Sequence, residues 1–116
     1  MSVIYLASPY THEDRAEELH RFRQVCQVAG CLMMDGNVVF CPVAMGHSIQ
    51  EHSTPTLPRS LDWWMARDLP ILEHCNLLAV LTIDGWQDSD GVKQEVGHAV
   101  IHDIPVVYLS PENYIT

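Results

Sequence analysis

The sequence predicts an α/β fold with a doubly wound parallel sheet, and three observations indicate it. Short apolar runs alternate with amphipathic, helix-like segments along the chain. The apolar runs are continuous, as in strands that are buried on both faces of a parallel sheet, whereas a half-exposed antiparallel strand would alternate. The length of 116 residues suits one domain, so residues 1–116 are taken as a single domain.

The first part of the chain predicts a buried strand followed by a long helix. Residues 3–7 form an apolar run that ends at Ser8 and Pro9. Thr11 is a candidate N-cap for the helix, and Gly36 is a suitable residue to end it. Apolar residues at helical spacing predict the buried face of this helix. They are Leu19, Phe22, Cys26, Ala29 and Met33.

The middle of the chain predicts a second strand, a long loop and a second helix. Residues 38–41 form the strand, which Pro42 stops. Residues 43–58 show no clear period and predict a loop, which in a small domain is usually functional. Residues 60–74 predict a helix that contains Pro70, whose ring should kink it.

The last part of the chain predicts two further strands and a helix. The strands are expected at residues 76–82 and 105–109, and the helix from 92 to about 102. The residues expected on the buried face of this helix are Val96, Ala99 and Val100. With right-handed crossovers, the elements predict a small three-layer, flavodoxin- or Rossmann-like fold with a parallel sheet of four to five strands.

The acidic composition excludes several classes of partner. The chain has fifteen Asp and Glu residues but only six Lys and Arg residues, which gives a net charge of −9. So few bases argue against nucleic-acid polymers and anionic membranes as partners. No apolar run approaches the ~20 residues that span a bilayer. The N-terminus lacks the basic and apolar regions of a signal peptide, so we expect a cytoplasmic protein.

Two further expectations follow from composition. The carboxylates of Glu13, Asp14, Glu17 and Glu18 are expected to form a solvated face of the first helix. The four cysteines show no C-x-x-C spacing, and we expect reduced thiols that pack as small apolar side chains. They are Cys26, Cys31, Cys41 and Cys75.

The start of the last helix carries the richest candidate site. Ligands of doubly wound folds bind outside the carboxyl ends of the strands, and this loop lies there. Ser89 offers a hydroxyl, Gly91 permits close backbone approach, and the helix start offers unpaired N–H groups, which together suit a phosphate. Glu95 lies about one turn inside and could point back to the pocket. The alternative is an ordinary capped helix with a solvent-facing Glu95.

Two other residues are candidates for chemistry. Asp68 shares a helix face with Trp64 and Leu72, and an acid on an apolar face is either used or paired with Arg59 or Arg67. Tyr5 lies in the middle of the first strand, where simple core packing is the alternative.

The histidines do not predict a metal site. His98 and His102 are four residues apart on one helix face and would bind zinc only if a third ligand converged on them. The H-E-x-x-H pattern of metalloproteases is absent. We therefore expect no metal and no other cofactor, with these histidines at the surface or in an interface.

Three segments resemble the nucleoside 2-deoxyribosyltransferase-like superfamily. They are the opening strand and loop IYLASPY at residues 4–10, the acid-Leu segment from Asp68 to the strand at 77–81, and the signature S-x-G-V-x-x-E at 89–95 followed by Pro105. The resemblance covers most of the chain outside residues 43–60. It implies the α/β fold predicted above and an enzyme that acts on an N-glycosidic bond.

The resemblance also implies roles for individual residues. Glu95 falls on the carboxylate that attacks C1′ of the sugar, Tyr5 on the tyrosine that orients it, and Asp68 on the acid that assists departure of the base. Ser89 stands where the free-nucleoside transferases have an aspartate. In this respect the chain is most similar to the deoxynucleoside 5′-monophosphate N-glycosidases, where a serine binds the 5′-phosphate. The other residues expected to bind substrate are Gly91, Ser8, Asp88, Asp90, Trp86 and His47.

The predicted function is hydrolysis of the N-glycosidic bond of a nucleoside 5′-monophosphate, or transfer of its sugar. The alternatives are a non-catalytic module that binds a nucleotide derivative, and a hydrolase of an NAD-type N-glycoside. The expected partner is a small-molecule nucleotide or nucleoside. The family's members complete the substrate pocket with residues from the C-terminal segment of a neighbouring subunit, so we expect a homodimer or homotetramer. Residues 43–60 of this chain are another candidate source of that part of the pocket wall.

Overall fold

Four parallel strands form one sheet in the computed structural model, which describes residues 2–115. The strands are β1 (Val3–Ala7), β2 (Val38–Phe40), β3 (Leu77–Leu81) and β4 (Val106–Leu109). Their order is β2-β1-β3-β4, and every neighbouring pair is parallel. The chain reverses its direction of winding between β1 and β3, and in such sheets the crevice at this switch point binds ligands.

Helices cover both faces of the sheet and give the predicted three layers. They are α1 (Arg15–Met34), α2 (Pro42–His52), α3 (Leu61–Leu72) and α4 (Asp90–Ile101). Two short 3-10 turns follow β3 and β4, at Trp86–Asp88 and Pro111–Asn113. The helix α1 packs against one face of the sheet, and α3 and α4 pack against the other. The doubly wound α/β fold is therefore confirmed.

Alternation along β1 divides the core in two. Ile4 and Leu6 face the α1 side, whereas Tyr5 and Ala7 face the α3 and α4 side. All four side chains are buried. The pleat of one strand thus directs the Tyr5 phenol toward the two helices that carry the candidate acids.

The start and the buried face of α1 differ from the prediction. Asp14, not Thr11, is the N-cap, and its carboxylate accepts a hydrogen bond of 2.9 Å from the backbone N–H of Ala16. Met33 is 54% exposed. The helix has two apolar rows at helical spacing, and contact with the sheet decides which is buried. The buried row is Val25, Val28, Ala29 and Leu32.

The prediction of a loop over residues 43–58 is wrong for residues 43–52, which belong to the helix α2 (Pro42–His52), and holds for residues 53–58. Pro42 is at the first position of this helix, where its fixed φ is favourable and its missing N–H has no cost. Gly46 lies against the ring of Trp64, since a Cβ at residue 46 would be 3.3 Å from it. This close approach of α2 and α3 is a tertiary contact that local periodicity does not reveal.

The second half of the chain follows the prediction, with two exceptions at the surface. The bounds of α3 and α4 agree within two residues, and α3 continues through Pro70. Val100 was expected to be buried but is 65% exposed. Val107 and Tyr108 are also exposed, because β4 is an edge strand and is less completely covered than the central strands.

The cysteines are free thiols, as expected. All four cysteines are free, with Cys41 and Cys75 buried and Cys26 and Cys31 half-buried. Within residues 2–115, no helix is both long and apolar enough to cross a membrane.

Candidate active site

A cavity of about 510 Å³ lies at the carboxyl edge of the sheet, at the switch point between β1 and β3. Ser8 follows β1 on one side, and Gly85 and residues 88–91 follow β3 on the other. Side chains of α1, α2 and α3 complete the wall. The position agrees with the general rule for doubly wound sheets.

Eight of the ten predicted site residues line this cavity. They are Ser8, His47, Asp68, Asp88, Ser89, Asp90, Gly91 and Glu95. Tyr5 lies in the core beneath them. Trp86 is not among the lining residues, and its ring packs against Tyr108 with the ring centroids 5.4 Å apart. The structure thus brings residues from distant parts of the sequence to one place.

Two buried carboxyl groups form part of the cavity wall. Asp68 in α3 is 5% exposed, and Glu95 in α4 is 3% exposed. Neither arginine that could have paired with Asp68 does so. The Arg59 guanidinium contacts Glu18, and the Arg67 guanidinium stacks 3.6 Å above the ring of Trp63. The two acids are therefore buried beside a cavity without a cationic partner among the described residues.

Burial makes both carboxyl groups weaker acids than usual. Removal from water raises the pKa of Glu95 to about 8, the Tyr5 hydroxyl opposes this shift, and the nearby Asp68 carboxylate adds to it. Burial likewise raises the pKa of Asp68 to about 6. Because the two groups interact, their protons leave in two steps that belong to the pair. Near pH 7 the pair therefore holds one proton.

Tyr5 provides a neutral hydrogen-bond donor beside Glu95. Its side chain is fully buried, and burial together with the Glu95 charge raises the pKa of its phenol far above the ordinary value. The hydroxyl is close enough to interact with the Glu95 carboxylate, but no well-aligned hydrogen bond to a described group is formed. The phenol stays protonated and can donate to Glu95.

The N-terminus of α4 faces the same cavity. The Ser89 hydroxyl accepts a hydrogen bond of 3.2 Å from the backbone N–H of Val92 and so caps the helix. Its own proton remains free to be donated to a ligand. The first N–H groups of a helix have no partner within the helix, so this end of α4 suits an anion.

Two arginines that the sequence did not single out for this site also line the cavity. Arg21 donates a hydrogen bond of 3.2 Å to the backbone oxygen of Thr11 and lies against Gly85. A Cβ at Gly85, whose φ is +92°, would lie 2.5 Å from the Arg21 guanidinium. Arg59, just before α3, lines the other side. The only sequence signal that could have indicated Arg21 and Arg59 is that the chain has just six Lys and Arg residues, so each one is a candidate ligand for an anion.

The expectation that Glu18 is solvated is wrong. Its side chain is buried, and one carboxylate oxygen accepts hydrogen bonds from the Arg59 guanidinium and, at 3.0 Å, from the backbone N–H of His12. The other oxygen has no partner among the described residues. Glu18 thus ties the loop after β1 and the segment before α3 to the start of α1.

His47 forms an aromatic part of the wall. Its ring stacks on Phe22 with the ring centroids 3.9 Å apart, and its Nδ1 atom lies 2.7 Å from the Tyr10 hydroxyl. Tyr10 and His47 therefore join the loop after β1 to α2. The segment 43–60 was expected to supply part of the pocket wall. The helix α2, which covers residues 43–52 of that segment, lines this side of the cavity.

A solved structure supports the fold and the similarity seen in the motifs. It is the 2-deoxyribosyltransferase from the psychrotolerant bacterium Bacillus psychrosaccharolyticus, described as a biocatalyst for the synthesis of antiviral and antitumoral nucleosides. The chain is 28% identical to it, with a TM-score of 0.60, over 95% of this chain and 73% of that one. No curated protein matches the sequence significantly. Residues 2–111 match the family described as "Domain of unknown function (DUF1937)", and the chain belongs to that family.

Proposed function

We propose that this protein cleaves the N-glycosidic bond of a nucleoside 5′-monophosphate, by hydrolysis or by transfer of the sugar to a second base. The observation that carries this proposal is the grouping of Tyr5, Asp68 and Glu95 at the switch-point cavity, with both carboxyl groups buried. Such carboxyl pairs cleave glycosidic bonds because the ionised group can stabilise positive charge at C1′ while the protonated group can donate its proton to the leaving group.

In this proposal Glu95 acts on the sugar and Asp68 on the base. The C1′–N bond breaks, its electron pair leaves with the base, and the proton of Asp68 neutralises the base nitrogen. The ionised Glu95 carboxylate attacks C1′ or stabilises its positive charge, and Tyr5 holds that carboxylate in place by hydrogen bonding. A water molecule or a second base then adds to C1′ and gives its proton to the Asp68 carboxylate. Where a Glu95–C1′ bond has formed, this bond breaks and its electron pair returns to the Glu95 carboxylate.

The carboxyl pair carries the number of protons that the mechanism requires. The reaction requires one ionised and one protonated carboxyl group, and the pair holds one proton near pH 7. In the free protein this proton is mainly on Glu95, whose pKa is the higher of the two, so the reactive form, with the charge on Glu95, requires the proton to move to Asp68. Positive charge that develops at C1′ favours that form in the transition state.

The phosphate of the substrate is proposed to lie near the N-terminus of α4. Ser89, Arg21 and Arg59 line the same cavity as the two acids and offer a hydroxyl and two guanidinium groups. Arginine binds phosphate oxygens through paired N–H donors. These local donors offset the net charge of −9, which on its own would disfavour an anionic substrate.

The similarity to a known enzyme supports the general class of reaction. The solved structure that matches 95% of this chain is a 2-deoxyribosyltransferase, and transfer between bases begins with the same C1′–N cleavage. Preference for a monophosphate and for water as the acceptor rests on Ser89 and the two arginines. A homodimer or homotetramer remains part of the proposal.

A base-release screen tests the proposal. The purified protein is incubated with ribo- and deoxynucleoside 5′-monophosphates and with the same compounds without phosphate, and free base is measured by chromatography. We expect base release from at least one monophosphate, with at least tenfold lower kcat/KM after removal of the phosphate. Glu95→Gln should abolish release, whereas Glu13→Gln, a change at an exposed residue, should not.

The same screen separates the two alternative functions. Tight binding of a monophosphate without any release of base would favour a non-catalytic binding module. Release of nicotinamide from NAD, without release of base from any monophosphate, would favour an NAD-type hydrolase. Either result would overturn the proposed reaction.

A further inference from the structure

A cluster of three metal-ligating side chains lies outside the cavity, where α3 and α4 end side by side. Glu73 is the residue after α3, and His98 and His102 lie on the last turn of α4 and its C-cap. One ligand atom from each residue lies within 4.8 Å of the other two. None of the three lines the cavity described above.

The geometry of the cluster is close to that of a tetrahedral metal site. The Nε2 atoms of His98 and His102 lie 2.9 and 4.0 Å from the same carboxylate oxygen of Glu73. Zinc bonds of about 2.0 to 2.2 Å place neighbouring ligand atoms about 3.4 Å apart. The two observed distances lie on either side of that value, and all three ligand atoms lie within 4.8 Å of one another, so shifts of about one ångström bring the side chains to this geometry.

Of the two imidazoles, only that of His98 is hydrogen-bonded to a side chain among residues 2–115. His98 is within hydrogen-bond distance of Glu73, whereas His102 is beyond it. The two imidazole rings lie at an angle of 44° to each other, with their centroids 4.3 Å apart. A metal ion between the three side chains would engage both rings and the carboxylate at once.

The donor set selects the class of metal. Two imidazole nitrogens and one carboxylate oxygen suit Zn²⁺ and similar first-row ions, whereas Mg²⁺ and Ca²⁺ prefer oxygen ligands alone. The side chains are 22% to 39% exposed, so an ion can enter from solvent and keep a water molecule as its fourth ligand.

We propose that Glu73, His98 and His102 form a zinc-type site that joins the ends of α3 and α4. The helix α3 carries Asp68, and α4 carries Glu95, so the metal fixes the relative position of the two helices that hold the candidate acids. The site is structural, because its ligands lie outside the cavity. It does not depend on the proposed enzymatic function.

Zinc titration of the full chain tests this site. After treatment with a chelator, the protein is titrated with ZnCl₂ by calorimetry, and its Tm is measured with and without zinc. We expect one zinc ion per chain with micromolar affinity and a rise in Tm of about 5 °C when free zinc exceeds the Kd tenfold. MgCl₂ at the same concentration should leave the Tm unchanged.

Variants show whether the bound ion lies at this cluster. His98→Ala, His102→Ala and the conservative Glu73→Gln should each weaken zinc binding at least tenfold and remove the rise in Tm. His74→Ala, which removes the exposed histidine next to Glu73, is the matched control and should bind zinc like the parent. Circular dichroism confirms that each variant is folded.

Three results would overturn the site. They are no zinc binding by the parent at 100-fold excess over the protein, zinc binding that survives all three substitutions, and a stoichiometry of one zinc per two chains. The last would assign the ion to a contact between copies.

Discussion

The guanidinium of Arg59 donates a hydrogen bond to the carboxylate of Glu18, a side chain that is 1% exposed at the start of α1. The two residues are 41 positions apart in the sequence. Their contact holds the segment before α3 against the cavity wall, and Arg59 itself lines the cavity. One ion pair therefore links the stability of the fold to the shape of the candidate site.

Arg59→Met should lower the free energy of unfolding by about 1 to 3 kcal/mol, as measured by urea denaturation. The change leaves a buried carboxylate with only the His12 N–H as a donor. Arg67→Met is the matched control, since that guanidinium stacks at the surface on Trp63, and should cost less than about 1 kcal/mol. Equal losses in the two variants would contradict the role given to the Glu18–Arg59 pair.

The rate of base release should depend on pH as a bell, with a maximum near pH 7. We expect kcat/KM to rise as the first proton leaves the carboxyl pair, near pH 6, and to fall as the second leaves, near pH 8. Asp68→Asn should remove one limb while the titration of the substrate's phosphate stays the same. A rate that is constant from pH 5 to 9 would contradict a single shared proton.

Glu95→Gln should stabilise the protein at alkaline pH while it abolishes base release. The folded-state pKa of about 8 lies above the ordinary value of 4.5, so the folded state holds an extra proton between these values. The free energy of unfolding contributed by this group is therefore full below pH 4.5 and is lost as the pH rises to about 8.

The gain from Glu95→Gln should thus be small at pH 4.5 and on the order of 5 kcal/mol at pH 9, in denaturation measured across that range. Glu13→Gln, at an exposed residue, should show no such trend. A gain that does not change with pH would mean that the Glu95 carboxyl group is not desolvated in the folded protein.

Gly85→Ala and Gly97→Ala should have opposite effects on stability. Gly85 has a φ of +92°, and a Cβ there would lie 2.5 Å from the Arg21 guanidinium, so alanine should cost about 1 kcal/mol and displace Arg21. Gly97 lies inside α4 with nothing within 4 Å of its added Cβ, so alanine should gain about 0.5 to 1 kcal/mol.

The displacement of Arg21 should also be visible in the kinetics. Gly85→Ala is expected to raise KM for a phosphorylated substrate severalfold more than for its dephosphorylated form, whereas Gly97→Ala should change neither. Thermal denaturation and steady-state kinetics of the two variants give both readouts. An unchanged preference for phosphate in Gly85→Ala would exclude Arg21 as a phosphate ligand.

The sequence by itself determined the class of the fold, and its motifs, together with the family they resemble, predicted Glu95, Asp68 and Tyr5 as the centre of the candidate site. Continuous apolar runs such as residues 3–7 are local signals. They are typical of strands that are buried on both faces of a parallel sheet. The spacing from Ser89 to Glu95 is likewise local, because a helix start and its first two turns fix where both side chains lie. Parallel strands then bring such loops to one edge without further information.

The tertiary structure alone decided what depends on contacts between distant residues. Periodicity could not show which apolar row of α1 is buried, that Gly46 lets α2 approach Trp64, or that Glu18 is buried with Arg59. The sequence predicts that a charged side chain such as Glu18 is exposed to solvent. It is buried here because its partner, Arg59, lies 41 residues away in the sequence and is brought to it only by the fold. The meeting of Glu73 with two histidines of α4 has the same cause, since the packing of two helices sets which side chains converge.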